Sequence, residues 1–320
     1  MLQALRQAAV RLPDPSRVAG FVAAQANGDG GLRGRSDASD LYYTVFGLEC
    51  LIALDPGRVG EEAAPTDCEG TTPAGRDPWV VDGATEGELP THMRASLTAY
   101  LRPFGTGQSL DLAHTASLAR CWTMLAPGNL DEPLRQGLLD RLASFRCDDG
   151  GYSLGPGETR GSGYGCFLAM GAFQDLRAEL PDPQSAARFI RSLTGEGGGY
   201  GNWQTWPAVS TPSTAAAVTT LVHLGETVDP AAGDWLMSMV HPSGGFLPWP
   251  GAPPDLLCTA TAVHTLSLLG VDLSGIAAPC RDFVLSLQTD SGGFGGYPGD
   301  PVADCEFTYY ALLTLGRLGG

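Results

Sequence analysis

Apolar runs with the spacing of buried helices recur along the chain, and each follows a short polar or glycine-rich turn. In the most regular example, Gly-Gly-Phe at 292–294 precedes a Pro-rich loop, and the sequence DCEFT at 304–308 opens an apolar run that reaches Leu318. One such unit is too small to bury its own apolar face, whereas adjacent units bury each other's. The pattern therefore predicts a repeat protein.

The residue four positions after the Asp, usually Thr, gives a reference point in each unit. These reference points fall at 44, 115, 165, 214, 259 and 308, with spacings of 71, 50, 49, 45 and 49 residues. In the third unit Gly161 and Gly165 replace the Asp and the Thr. We therefore expect one domain over 1–320, with repeats at 14–54, 91–126, 134–176, 185–225, 233–270 and 280–319.

Each unit also contains an upstream amphipathic segment, at 18–25, 92–101, 134–145, 185–193, 235–240 and 280–288. Two helices joined by a glycine-rich turn make an αα-hairpin, and such hairpins stack into a solenoid or close into a ring. The Gly pairs suit positions with positive φ just past a helix end, and the aromatic residue after them is expected to turn back into the core.

The oversized first spacing locates an insertion at 55–90 that is rich in Pro, Gly, Thr and acidic residues and lacks helical periodicity. One interpretation is a solvated surface excursion. The other is a lid over one mouth of the ring, with Trp-Val-Val at 79–81 as its apolar contact.

The formal charge of −16, with only 19 Lys and Arg residues, excludes nucleic acid as a favourable partner, because a phosphate backbone requires clustered positive charge. No run is long enough to span a bilayer, and Arg6, Gln7 and Arg11 interrupt the first apolar stretch, so we expect a soluble, cytoplasmic protein. The eight cysteines include no C-x-x-C pair, and several lie inside apolar runs, as reduced core cysteines do.

At 21–32 and 283–294, a Phe-Val pair and a nearby Gln precede the Gly-Gly turn, and D-x-x-x-T and an apolar helix follow it. This pattern resembles the prenyltransferase and squalene-cyclase repeat. The resemblance covers roughly residues 18–319. It implies an all-α fold, the (α/α)6 toroid, with an inner ring of parallel helices around an apolar cavity.

In protein prenyltransferase β-subunits, an Asp and a Cys of one repeat and a His of the next hold zinc. The resemblance places Asp255, Leu257 and Phe307 at these positions, so only the Asp is kept. His114 matches the His-bearing motif, but the preceding unit has Tyr42 in place of the Cys. The positions of the cationic diphosphate ligands correspond to Gly161, Ser210, Trp249 and Ala252. These replacements argue against zinc-dependent prenyl transfer of the usual kind.

Squalene-cyclase-type enzymes instead carry D-x-D-D-T-A, whose middle Asp protonates an alkene or an epoxide. Only the sixth unit has a carboxylate, Glu306, at the middle position, and desolvation there would raise its pKa and keep it protonated. Asp304 is expected to orient Glu306 or to raise its pKa further. The alternatives are structural, since Asp304 also suits a helix cap and Glu306 a first helical turn.

The position three after the Asp is expected to form one layer of the cavity wall, made of Tyr43, His114, Tyr164, Ser213, Cys258 and Phe307. Such a wall suits a nonpolar ligand, although the same residues would also suit a filled barrel centre. Trp203, Trp206 and Trp249, in loops before inner helices, are expected to rim the entrance.

The sequence thus predicts a toroid that binds an isoprenoid-like hydrophobic molecule, with Glu306 as the acid of a terpene cyclase-like reaction that uses no cofactor. A divergent prenyltransferase, which would need zinc or magnesium and a prenyl diphosphate, is the first alternative. A non-catalytic toroid that binds a hydrophobic ligand or a protein is the second. The identity of a partner subunit stays open.

Overall fold

The computed structural model describes residues 1–55 and 91–319, apart from the side chains at 91, 92 and 207. The insertion predicted at 55–90, with its lid contact at 79–81, lies outside these residues except for Asp55.

An inner ring of six helices carries the apolar runs: α3 (Leu41–Ala53), α5 (Leu112–Leu125), α7 (Gly163–Asp175), α9 (Thr211–His223), α11 (Leu256–Leu268) and α13 (Cys305–Arg317). Each inner helix begins at an Asp or Ser whose side chain accepts a hydrogen bond from a backbone N–H of the first turn. Each packs on the next in chain order, and α13 packs on both α11 and α3. The ring is therefore closed, and the predicted toroid is confirmed.

The outer helices alternate with the inner ones: α2 (Pro15–Ala23), α4 (Thr91–Leu101), α6 (Glu132–Ala143), α8 (Pro183–Ser192), α10 (Pro230–Ser238) and α12 (Ser274–Ser286). Several begin earlier than predicted, because an Asp caps the helix and a Pro occupies its first turn, as Asp229 and Pro230 do in α10. The amphipathic pattern of α10 led to a predicted start at 235, five residues too late.

Glycine pairs allow each repeat to pack closely on the outer helix of its neighbour. The first Gly of each pair has positive φ, as predicted: Gly30, Gly150, Gly198, Gly244 and Gly292. The second lies against an aromatic ring of another repeat's outer helix, and a Cβ on Gly293 would come within 2.4 Å of the Phe21 ring. Because Phe21 belongs to α2, this contact ties the sixth repeat to the first. The residue after each pair is buried: Leu32, Tyr152, Tyr200, Phe246 and Phe294.

The third repeat departs from the predicted register by one residue. Ser162, not the residue at 161, caps α7 by accepting a hydrogen bond from Gly165, and the fourth residue after this cap is Cys166. A Cβ on Gly165 would lie 2.1 Å from the carbonyl oxygen of Tyr152, which explains why glycine stands there. The reference point at 165 was therefore wrong, because Gly-rich sequence offered no Asp or Thr to fix the alignment.

Two further elements were not predicted. Helix α1 (Leu2–Ala9) packs on α13 and α3, and Arg11 donates hydrogen bonds from Nη1 to the carbonyls of Leu315, at 3.1 Å, and Gly316, at 3.0 Å. A two-stranded antiparallel hairpin, β1 (Gly201–Trp203) and β2 (Trp206–Val209), precedes α9. In the described part of the chain no helix is long and apolar enough to cross a bilayer.

Candidate functional site

The side chains two positions after three of the helix caps approach one another in the interior of the ring. Tyr42, Tyr164 and Glu306 occupy this position on α3, α7 and α13. Burial raises the pKa of Tyr164 and the Tyr42 hydroxyl lowers it, although α5 lies between their helices in the ring, so the two side chains approach each other across the interior. All three keep part of their surface accessible, whereas Thr44, Cys166 and Thr308, two positions further along the same helices, are buried.

Glu306 is a carboxyl group in a desolvated pocket. The hydroxyl of Tyr42 donates to its Oε1 at 2.8 Å, and no other residue of the described chain is hydrogen-bonded to the carboxyl. Burial raises the pKa of Glu306 to about 7, against a lowering by the Tyr42 hydrogen bond, and the charge of Asp304 raises it further. The predicted direction of the shift agrees with this geometry, and Oε2 remains able to carry a proton.

Aromatic rings surround this carboxyl group. Phe46 contacts the rings of Tyr42 and Tyr309, both at a centroid distance of 4.9 Å, and of Tyr310 at 5.7 Å. Burial raises the pKa of Tyr310 well above its usual range, so its hydroxyl stays neutral. We call Tyr42, Phe46, Tyr164, Tyr310 and Glu306 the aromatic layer. Ring faces of this kind stabilise positive charge that develops near them.

Asp304, predicted as a second catalytic residue, has both oxygens engaged. Oδ1 accepts from the backbone N–H of Phe307 at 2.8 Å, and Oδ2 accepts from Arg35 Nε at 2.8 Å. Arg35 also pairs with Asp300 at 2.6 Å and lies over the Phe307 ring, 5.2 Å from its centroid. Asp304 is 1% exposed, so it acts on Glu306 through its charge. Its assignment as a catalytic residue stays a prediction.

The predicted wall at the position three after the cap is only partly as expected. Tyr43 and Phe307 are partly accessible and pack on the backbones of Gly34 and Gly296, where a Cβ would lie 2.3 and 2.5 Å from their rings. Ser213 is also partly accessible and accepts a hydrogen bond from Ser210 at 2.8 Å.

Of that predicted wall, one member is buried and another lies at a different position of its repeat. Cys258 is 1% exposed and its thiol donates to Asp255 at 3.3 Å, so it belongs to the core and does not line the cavity. Tyr164 lies one position earlier than predicted because of the register error in its repeat, and so belongs to the aromatic layer.

His114 lies between two cap residues. Its Nδ1 is 2.7 Å from Asp111 Oδ1, and its Nε2 is 3.4 Å from Asp40 Oδ2. The hydrogen bond to Asp40 raises the pKa of His114 to about 9, against burial, and Asp111 adds to the rise. His114 is therefore a protonated, ion-paired group at neutral pH.

The residues do not fit a prenyltransferase-type zinc ion. His114 is paired with carboxylates, and Tyr42, at the position of the Cys, is a neutral phenol whose pKa is raised by burial and whose hydroxyl donates to Glu306. At the other candidate position Leu257 and Phe307 have no donor atom, and Asp255 accepts from Cys258. In residues 1–55 and 91–319 no three His, Cys, Asp or Glu side chains are arranged to hold a metal ion.

The predicted rim tryptophans are exposed, by 44% for Trp203, 68% for Trp206 and 57% for Trp249. Trp203 and Trp206 pair across the hairpin before α9. Trp249 follows Pro248, whose carbonyl accepts from the first residue of α9, Thr211, at 2.9 Å. The three therefore lie on adjacent loops at the end of the ring where the inner helices begin.

Deeper in the inner ring lies a second cluster, which we call the charged layer: Glu49, Arg120 and Asp175. Arg120 on α5 donates from Nε to Glu49 on α3 and from Nη1 to Asp175 on α7, at 3.1 Å to Oδ1 and 3.3 Å to Oδ2. Burial raises the pKa of Asp175 and Arg120 opposes the rise.

Sequence reasoning missed Arg35, Tyr42 as a partner of Glu306, and the whole charged layer. The sequence does contain the information to predict Tyr42, since it occupies the same position of its repeat as Glu306. Arg120 and Glu49 also share a position, nine residues after their caps, whereas Asp175 lies thirteen residues after its cap, at the last residue of α7.

The family model described as the prenyltransferase alpha-alpha toroid domain matches residues 1–72, 117–232 and 223–319. Protein farnesyltransferase subunit beta from Arabidopsis thaliana is 32% identical over 161 residues, which cover 47% of this chain and 32% of that relative. The match thus spans about a third of the curated relative.

Two solved structures share the fold. The type II terpene cyclase MstE from Scytonema, in complex with geranylgeranyl dihydroxybenzoate, has a TM-score of 0.61 at 13% identity, over 99% of this chain and 98% of that chain. Protein geranylgeranyltransferase-I from Candida albicans, complexed with GGPP, has a TM-score of 0.50 at 17% identity, over 63% and 65%. The closed ring, its repeat motifs and the family match lead to one conclusion: the chain belongs to the prenyltransferase alpha-alpha toroid family.

Proposed function

We propose that the interior of the ring binds an isoprenoid-like molecule and that the chain is a terpene cyclase-like enzyme, which begins a cyclisation or isomerisation by protonating its substrate. The observation that carries the proposal is Glu306, a carboxyl group among aromatic rings with a pKa raised to about 7. The geranylgeranyl compounds bound by the two structural relatives support the isoprenoid class.

In the proposed reaction Glu306 donates its proton from Oε2, while Tyr42 holds Oε1. A substrate alkene accepts the proton through a new C–H bond, or an epoxide oxygen accepts it and its C–O bond breaks. The cation that results moves along the chain as rings close, next to Phe46 and Tyr310. Loss of a proton from the last cation ends the reaction, so the net change is neither oxidation nor reduction.

The raised pKa has two opposing effects. It keeps the proton on Glu306 at neutral pH, but it also makes the group a weaker acid than an ordinary carboxyl. The aromatic faces must offset this loss by stabilising the cation. An epoxide, whose oxygen is more basic than an alkene, is the easier substrate for such an acid.

The similarity to farnesyltransferase subunit beta favours a second candidate, a prenyltransferase-like activity with zinc or magnesium and a partner subunit. The residues at its zinc positions do not fit that metal, as described above. A third candidate is a toroid that binds a hydrophobic ligand or a protein without catalysis. The cytoplasmic location predicted from sequence stays a prediction.

The test is incubation of the wild type, Glu306→Gln and Glu306→Asp with a neutral polyene, its epoxide and a prenyl diphosphate, followed by mass spectrometry of the products. We expect a cyclised or isomerised product whose rate falls about 100-fold or more in Glu306→Gln and is largely kept in Glu306→Asp. The control is Glu179→Gln, a change at an exposed carboxylate of the same type. Transfer of the prenyl group to a protein thiol would instead support the transferase, and binding without turnover the non-catalytic toroid.

A further inference from the structure

Arg120 of the charged layer has an unused hydrogen-bonding edge. A guanidinium group has five N–H donors. Nε donates to Glu49 and Nη1 to Asp175, whereas Nη2 makes no hydrogen bond with any residue of the described chain. Two of the strongest donors in a protein are therefore left over at this depth.

The charged layer is not fully enclosed. Arg120 keeps 27% of its side-chain surface accessible and Asp175 keeps 22%, although burial perturbs the pKa of both groups. Glu49, which closes the other side of the guanidinium, is only 6% exposed in its side chain. Inner helices stand on both sides of Arg120, so its accessible surface lies between α3 and α7.

The charges of the layer select the chemistry of a ligand. Two carboxylates against one guanidinium leave a net charge of about −1, which repels a diphosphate. The Met1 amino group also interacts with Glu49 and Arg120, but burial lowers its pKa to about 6, so it adds little positive charge at neutral pH. A hydroxyl group suits the site, because its oxygen accepts from Nη2 and its proton can be donated to Asp175, whose oxygens each have a second lone pair. A hydrocarbon end, in contrast, would leave Nη2 unpaired.

We propose that Arg120 and Asp175 form a head-group site for a prenyl alcohol or prenyl phenol, with the hydroxyl at the charged layer and the hydrocarbon chain directed toward Glu306. This inference rests on the proposed function, because it names the substrate class of the same cavity. On α3, Tyr42 and Glu49 are seven residues apart, which places the two layers about 10 Å apart along the axis. Glu306 then protonates the chain at a carbon distant from the hydroxyl.

The experiment measures Kd for three probes of equal chain length: farnesol, farnesene and farnesyl diphosphate. For the wild type we expect farnesol to bind about tenfold or more tightly than farnesene, since a hydrogen bond to a charged group supports a difference of that size. Arg120→Lys keeps the positive charge but loses the planar, forked set of N–H donors. The preference for farnesol is therefore expected to disappear, while farnesene binds as before. Asp175→Asn removes one negative charge and is expected to improve farnesyl diphosphate binding.

Glu179→Gln serves as the control and is expected to change none of the three affinities. Equal binding of farnesol and farnesene to the wild type would overturn the proposal, as would an equal loss of both in Arg120→Lys. If Arg120→Lys does not fold, Asp175→Asn decides: unchanged diphosphate binding overturns the proposal and tighter binding supports it. Glu306→Gln separates the two proposals, because it is expected to abolish product while keeping the preference for farnesol.

Discussion

The aromatic layer and the charged layer lie in the same inner ring at depths that differ by about 10 Å along α3, and each contains a carboxyl group that burial desolvates. Burial raises the pKa of Glu306 and of Asp175 alike, but the two groups have different neighbours. Glu306 is hydrogen-bonded to a phenol and surrounded by rings, whereas Asp175 is paired with Arg120. Glu306 has no paired cation within residues 1–55 and 91–319, so desolvation leaves it as an acid with a raised pKa. Asp175 is paired with Arg120, so the same desolvation leaves an ion pair.

The largest effect is expected from breaking the charged layer. Arg120→Met leaves Glu49 and Asp175 buried without their cation, and the free energy of unfolding should fall by about 3–5 kcal/mol. Urea denaturation at neutral pH measures the change. Adding Glu49→Gln and Asp175→Asn to the same variant should recover most of the lost stability. If Arg120→Met alone loses well below about 1 kcal/mol, the cluster is not a buried ion pair.

The aromatic layer should respond in the opposite direction. The pKa of Glu306 rises from 4.5 to about 7 on folding, so its carboxylate destabilises the fold above pH 7, and this cost declines as the pH falls to 4.5. Glu306→Gln should therefore stabilise the protein by about 2–3 kcal/mol above pH 7 and by little below pH 4.5. Thermal unfolding across this range tests the sign, and a gain that does not depend on pH would argue against the raised pKa.

A polar group outside both layers provides a reference. The Tyr152 hydroxyl is fully buried and has no hydrogen-bond partner among the residues that the structure describes, and two other repeats have Phe at the equivalent position, Phe246 and Phe294. Tyr152→Phe should raise the free energy of unfolding by about 1 kcal/mol at every pH, because it removes an unsatisfied hydroxyl. A decrease in stability would reveal a partner for the hydroxyl.

The smallest effect is expected from replacing His114. His114 has a pKa raised from 6.5 to about 9, so its ion pairs stabilise the fold fully below pH 6.5 and lose that contribution as the pH rises through 9. All three partners are partly exposed, so His114→Asn should cost about 1 kcal/mol or less at pH 6 and nothing at pH 10. If the free energies of unfolding of the wild type and of His114→Asn differ by the same amount at pH 6 and at pH 10, the raised pKa of His114 is contradicted.

These contrasts also show what could be predicted from sequence. The ring was predictable because the six repeats each contain a capped apolar helix and most contain a Gly pair with a fixed backbone requirement. The position of Glu306 was predictable because its repeat keeps the Asp and Thr that fix the register. In the third repeat Ser162 and Cys166 replace those residues, and the register was lost by one.

The charged layer was not predictable for a different reason. Glu49 and Arg120 are 71 residues apart, and each stands alone within an apolar run. Such a residue is equally compatible with a solvent-exposed helix edge, and only the closure of the ring brings the two to one depth. Likewise, Cys258 was assigned to the cavity wall from its position in the repeat, but this small side chain is buried, whereas Tyr43 and Phe307 at the same position are partly accessible.

The most direct test of the account is to carry out the reaction in D₂O with the neutral polyene or epoxide that yields product. If Glu306 donates the initiating proton, the product of alkene protonation contains one carbon-bound deuterium from solvent, and that of epoxide opening is formed with a solvent isotope effect. In either case the rate should decline as the pH rises above about 7 and be lost in Glu306→Gln. Product formation at an unchanged rate by Glu306→Gln would contradict the assignment of Glu306 as the acid.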